Sequence, residues 1–142
     1  MKTQNHFNVV VLEDNNFYNN ILTHQLQNYA ENIALEKHFS FDIQSYTSAG
    51  DCLRNLKAET DVAFVDYYLN ESNALDVMRK IQKRCYDCKI IILSQIKNVK
   101  TSFQTLSEGA SDFISKDRNA LARCCYILEE IINQRLRSAS QP

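Results

Sequence analysis

The chain has 142 residues, 44% of them apolar and 23% charged, the size and balance of one globular domain with its own core. Its 16 basic and 17 acidic side chains leave a net charge of −1, so it has no basic excess of the kind that binds nucleic acid or a membrane surface. No apolar run is long enough to cross a bilayer, and the polar stretch Met1–Asn8 carries no secretory signal, so the expected location is the cytoplasm.

Apolar runs and helical periods then alternate along the chain. Val9-Val10-Val11-Leu12 reads as a strand buried on both faces. Leu22, Leu26, Tyr29 and Ile33 follow with helical spacing. Phe39 to Tyr46 alternates, with Phe39, Phe41 and Ile43 on one side, which suits a strand near a sheet edge. Ala49, Cys52, Leu53 and Leu56 give a short helix, and Val62-Ala63-Phe64-Val65 a second buried strand. Ala74, Val77, Met78, Ile81 and Cys85 form the next apolar helical stripe, followed by the strand Ile90-Ile91-Ile92-Leu93. Val99, Phe103, Leu106 and Ala110 predict a helix with an apolar stripe along one face. Ser111 to Ser115 is the fifth strand. Leu121, Cys125, Leu128 and Ile132 mark a last helix over 117–137, with Asp117 as its N-cap. One domain is thus expected over 1–137, with 138–142 as a tail or the start of a linker.

The βαβαβαβαβα order calls for a single five-stranded parallel sheet, doubly wound with helices on both faces and right-handed crossovers, in the flavodoxin-like strand order 2-1-3-4-5. The five cysteines, with no export signal, read as reduced thiols, and Cys85-x-x-Cys88 lacks the further ligands that a zinc site needs.

In such a sheet the functional crevice lies beyond the carboxyl ends of the strands. Glu13 and Asp14 follow the first strand, Asp66 the third, Ser94 the fourth and Lys116 the fifth. Two carboxylates about 5 Å apart repel by roughly 3 kcal/mol at an effective dielectric near 20, so three of them together need a counter-charge. Hard oxygen ligands of this kind suit Mg²⁺. With Lys116 and the Ser94 hydroxyl beside them, they describe a site for a phosphoryl group, with Asp66 as nucleophile. Taken singly, each residue has a plainer explanation: Asp14 as a helix cap, Ser94 as a strand-end hydroxyl, Lys116 as a solvated lysine. Their joint placement is what carries the chemistry.

The motifs V-V-V-L-E-D at 9–14, A-F-V-D-Y-Y-L at 63–69, I-I-I-L-S at 90–94 and G-A-S-D-F-I-S-K at 109–116 together resemble the receiver domain of two-component response regulators, over essentially the whole chain. The resemblance implies a signalling phosphoacceptor rather than an enzyme with a separate substrate. It casts Asp66 as the acceptor, Asp14 as a direct Mg²⁺ ligand, Glu13 as a ligand through water and the backbone carbonyl of Tyr68 as a third metal contact. It makes Ser94 the switch hydroxyl, Phe113 the switch aromatic and Lys116 the phosphate-binding lysine. It also implies a histidine kinase or phosphotransfer protein as donor, and a docking surface on the fourth helix, fifth strand and fifth helix for a downstream protein or a second copy.

The sequence departs from the family where Asn70 replaces the usual proline, Ala74 the usual glycine and Asp117 the proline after the lysine; a trans Lys116-Asp117 bond, or a strained cis one, is expected. Tyr68 and Gln95 are bulky rim positions beside the path of an attacking water. A flavin module would need a phosphate-cradling loop where the acids Glu13 and Asp14 stand, and a D-x-D phosphatase would need an acid at Tyr68. A receiver-like interaction module that is not phosphorylated, and the receiver of a longer regulator with an output domain, are the remaining alternatives.

Overall fold

The structure, a computed structural model, describes residues 5–70, 72–95 and 98–140. It runs β1 (His6–Leu12), α1 (Asn16–Lys37), β2 (Ser40–Tyr46), α2 (Ala49–Asn55), β3 (Val62–Asp66), α3 (Ala74–Arg84), β4 (Lys89–Ser94), α4 (Val99–Ser107), β5 (Asp112–Ser115) and α5 (Ala120–Ser140). The strands form one parallel sheet in the order β2-β1-β3-β4-β5, as the alternation predicts.

The continuous apolar runs have a simple origin. Along a strand successive side chains point to opposite faces. Val9, Val11, Phe64, Ile91 and Leu93 pack on one face with residues of α1 and α5, including Leu22, Leu26 and Leu128. Val10, Leu12, Ala63, Val65, Ile90 and Ile92 pack on the other with Cys52 of α2 and Val77, Met78 and Ile81 of α3. The alternating strand β2 lies at the sheet edge and keeps Ser40, Gln44 and Ser45 exposed.

Short polar side chains start the helices at the carboxyl edge. Asn15, Ser48, Asn73 and Asn98 each accept a backbone N–H from the first turn of α1, α2, α3 and α4. Gly109, with φ of +117°, turns the chain from α4 into β5 in a conformation that suits glycine.

The structure fixes the direction of one stripe and moves one helix boundary. The stripe on α4 faces solvent: Val99 is 80% and Phe103 74% exposed, and Leu106 is also open. The helix buries Thr105 instead, whose hydroxyl donates to the Thr101 carbonyl at 2.7 Å. A hydroxyl satisfied within its own helix is buried at little cost, so the small polar face can sit inward. In addition, α5 begins at Ala120 rather than at Asp117, whose carboxylate accepts the Asn119 N–H in a turn ahead of the helix. The Lys116-Asp117 peptide is trans, the first of the two alternatives.

The helix α5 continues through Ser140, so the expected tail at 138–142 starts inside it; residues 141–142 lie outside the described ones. Near its end Arg135 pins the helix to the amino edge of the sheet. Its guanidinium pairs with Asp61, donates to the His6 carbonyl at 3.1 Å and lies 4.3 Å from the Phe7 ring centre. Asp61 is buried and also accepts the Asn8 N–H at 2.7 Å. Removing one partner of a buried pair leaves an uncompensated charge, so Arg135→Ala should lower stability in urea denaturation by about 3 kcal/mol. Arg137→Ala, at a pair with both partners well exposed, should change it by less than ~1 kcal/mol. Equal effects in the two variants would contradict the anchoring role of Arg135.

Candidate functional site

Sheet register assembles the site. The end of β1 is tied to β2 by the Glu13 N–H, which donates to the Tyr46 carbonyl at 3.1 Å. Buried Asn19 of α1 clamps the same junction, its amide donating to the carbonyls of Glu13 and Tyr46 at 3.0 Å each. Asp66 is the last residue of β3, and the next N–H, of Tyr67, donates to the Leu93 carbonyl at 2.7 Å. Ser94 pairs with Ser115 across β4 and β5, and the Lys116 N–H donates to the Ser94 carbonyl at 2.8 Å. Each polar residue is therefore placed by backbone pairing before its side chain contributes anything.

The side chains then converge. Ligand atoms of Glu13, Asp14 and Asp66 lie within 4.8 Å of one another, compact enough for one small hard cation. The Lys116 ammonium reaches the Glu13 carboxylate and stands 3.1 Å from Asp66 Oδ1. The second Glu13 oxygen accepts the Asn15 N–H at 3.1 Å. Burial first, then the neighbouring Glu13 carboxyl, pushes Asp66 up to about 7, with Lys116 pulling in the opposite direction.

Glu13, Asp14, Asp66, Lys116, Tyr68 and Gln95 all line one cleft of about 270 Å³. Of the eight residues singled out from the sequence, Ser94 and Phe113 are outside it. Ser94 is buried at the end of β4. Phe113 is half-buried on the α3 side of the sheet, and its ring meets that of Tyr67 edge-on with centres 6.1 Å apart. Tyr67 in turn meets Tyr68 edge-on at 4.9 Å, so a chain of three rings joins the rim to Phe113.

Three contributors escaped the sequence reading. The Asn70 N–H donates to Asp14 Oδ2 at 2.9 Å, a bond that the proline usual at this position in the family has no hydrogen to make. Asn19 is the clamp described above. Tyr18 lies with its ring under Lys116, the ammonium 4.6 Å from the ring centre. A signal for Tyr18 and Asn19 was present, since both fall in the first turn of the helix that follows the acids and so reach back over the strand ends.

A doubly wound sheet with three acids and a lysine at its carboxyl edge has the construction of a CheY-like receiver. Residues 9–123 match the response regulator receiver domain family, and the chain belongs to that family, whose members are signalling phosphoacceptors with an acidic Mg²⁺-binding pocket. It is 34% identical over 58 residues to the photosynthetic apparatus regulatory protein RegA of Cereibacter sphaeroides, covering 41% of this chain and 32% of that protein. It is 28% identical over 88 residues to RegA of Rhodobacter capsulatus, covering 61% and 47%. The chain thus spans between a third and a half of the length of these relatives. A response regulator from Thermotoga maritima superposes with a TM-score of 0.66 at 23% identity, covering 90% of this chain and 98% of that one, a likeness of fold.

A carboxyl whose folded value lies above its ordinary value of 3.8 holds its proton more tightly folded than unfolded. Its contribution to stability therefore falls as pH rises from about 4 to about 7 and levels off above that. In chelator, urea midpoints of the wild type should fall relative to Asp66→Asn across this window. A constant difference between the two would show that Asp66 is not raised.

Proposed function

We propose that the chain is a phosphorylation switch in which Asp66 accepts a phosphoryl group from a histidine kinase or phosphotransfer protein. The observation that carries this is the Lys116 ammonium set between Asp66 and Glu13 inside the compact acid cluster. An Asp66 oxygen attacks phosphorus as the bond to the donor imidazole breaks, and the electron pair leaves on the imidazole nitrogen. Lys116 is already within reach of the new phosphoryl oxygens and moves onto them. The donor set fits Mg²⁺ through Asp14 and Asp66, with Glu13 through water and the Tyr68 carbonyl; when bound, the ion offsets the carboxylate repulsion and neutralises the phosphoryl charge.

The same reading assigns Ser94 and Phe113 to transmission. A phosphoryl oxygen gives the Ser94 hydroxyl a charge-assisted acceptor, and its shift frees space beside the Phe113 ring. The output surface is α4, β5 and α5, where Val99, Phe103 and Leu106 of α4 and Tyr126 of α5 stand exposed for a downstream protein or a second copy. The receiver unit assigned to 1–137 is extended to the end of α5 at Ser140 as part of this proposal. A cytoplasmic location fits a partner kinase, and no helix among the described residues is long and apolar enough to cross a membrane. The short match to the RegA proteins favours, as a second reading, a receiver that works within a longer regulator.

Intact-mass measurement after acetyl phosphate or phosphoramidate treatment in Mg²⁺ should show one added phosphoryl group. The adduct should disappear in Asp66→Asn, and its persistence there would move the acceptor elsewhere.

Both Tyr68 and Gln95 line the cleft and are exposed, so each lies where a hydrolytic water must enter. Decay of the purified phosphoprotein should be several-fold faster in Tyr68→Ala and in Gln95→Ala. Slower decay in Gln95→Ala would instead mark its amide as a water-positioning group.

A further inference from the structure

We propose that Tyr18 is a positioning residue for phosphoryl transfer, its ring face holding the Lys116 ammonium beside Asp66 while the lysine exchanges Glu13 for a phosphoryl oxygen. The inference rests on the reading of Asp66 as the acceptor.

Four contacts form a closed circuit around the lysine. Glu13 accepts the Asn15 N–H at 3.1 Å, and Asn15 Oδ1 accepts the Tyr18 N–H at 2.9 Å. The Tyr18 ring lies 4.6 Å from the Lys116 ammonium, and that ammonium returns to Glu13. The aromatic ring is thereby referenced to the same carboxylate that the lysine must leave.

The tyrosine hydroxyl does not account for the residue. It is buried and has no hydrogen-bond partner among the described residues. A buried hydroxyl without a partner is unfavourable, so the ring itself is the useful part of the side chain.

What a ring face offers here is attraction without a fixed acceptor point. The Lys116 side chain is 6% exposed, so the ammonium is nearly stripped of water, the condition in which a ring quadrupole attracts it most. The Glu13 contact weakens once a cation occupies the acids, because that carboxylate is then partly neutralised. The ring attraction does not depend on the acids. It keeps the ammonium desolvated and close while its hydrogen bonds are redirected, whereas a further carboxylate in place of Tyr18 would hold it back.

The test uses the full chain with Tyr18→Phe, Tyr18→Leu and a polyfluorinated phenylalanine at position 18, each also combined with Lys116→Ala. The readouts are the rate of labelling by acetyl phosphate, beryllofluoride affinity and Mg²⁺ affinity. Tyr18→Leu should label roughly three- to thirtyfold more slowly and bind beryllofluoride correspondingly less tightly. Its Mg²⁺ affinity should stay unchanged, since the ring touches the lysine and not the acids. Tyr18→Phe, the conservative variant, should restore the rate. The fluorinated ring, alike in shape but depleted of negative charge on its face, should be slow again, and this holds the test open if Tyr18→Leu misfolds. In the Lys116→Ala background none of the three should have a further effect. Equal rates for the phenylalanine and its fluorinated form, or an undiminished effect without Lys116, would overturn the role of Tyr18 alone. A wild type that is never labelled would overturn the acceptor reading, and this inference with it.

Discussion

Three carboxylates meet at the carboxyl ends of β1 and β3, and among the described residues the Lys116 ammonium answers their mutual repulsion. At 3.1 Å from Asp66 and an effective dielectric near 20, the gross attraction is about 5 kcal/mol, enough to offset one carboxylate pair but not the burial of every charge involved. Burial first, and then the Glu13 carboxyl, raise the Asp66 carboxyl despite the lysine beside it. Acids held this close together favour a bound cation and, on the proposed reading, charge moving outward onto a phosphoryl group.

This arrangement asks for rigidity behind it. Carboxylates that repel one another would spread apart on an untethered loop, and here each is tethered. Glu13 is tied to β2 through its backbone and through Asn19, Asp66 ends a strand buried along its whole length, and Lys116 follows the last β4–β5 pair. Asp14, the one acid of the three that is not buried, is steadied by the Asn70 N–H. At the far edge of the sheet Arg135 and Asp61 close α5 onto β1, so the helix that packs beside α1 is secured away from the site.

The sheet and the acid cluster were legible in the sequence because both rest on strand periodicity. Val9–Leu12, Val62–Val65 and Ile90–Leu93 are apolar without interruption only because two helical layers claim alternate residues, and the first polar residue after each run then falls at the carboxyl edge. What was not legible depends on choices that periodicity leaves open. On α4 the pattern defines a stripe but not its direction, and self-satisfied Thr105 allowed the polar face to turn inward. The N–H of Asn70 has no side-chain signature at all. Tyr18 looks like any aromatic in an amphipathic helix until the lysine 98 residues later is seen above its ring. The α5 boundary moved because Asp117 caps a turn, a local geometry that a favourable capping residue cannot distinguish from a helix start.

The exposed stripe of α4 has a physical bearing on how a change at Asp66 would spread. Among the described residues, α4 is the only helix that buries no apolar side chain, while α1, α3 and α5 each contribute several to the core and α2 contributes Cys52. An element held by so little apolar burial is the one whose rearrangement costs least. It lies between β4, which ends in Ser94, and β5, which carries Phe113. On the proposed reading, the two residues that respond to the phosphoryl group therefore flank the most weakly anchored helix, and the chain of rings from Tyr68 through Tyr67 to Phe113 links that region to the rim of the cleft. The stability of the sheet and the adaptability of α4 then serve different ends. Strong packing under the acids keeps the acceptor geometry constant, and weak packing under α4 lets a local change of charge alter the surface that a partner would read.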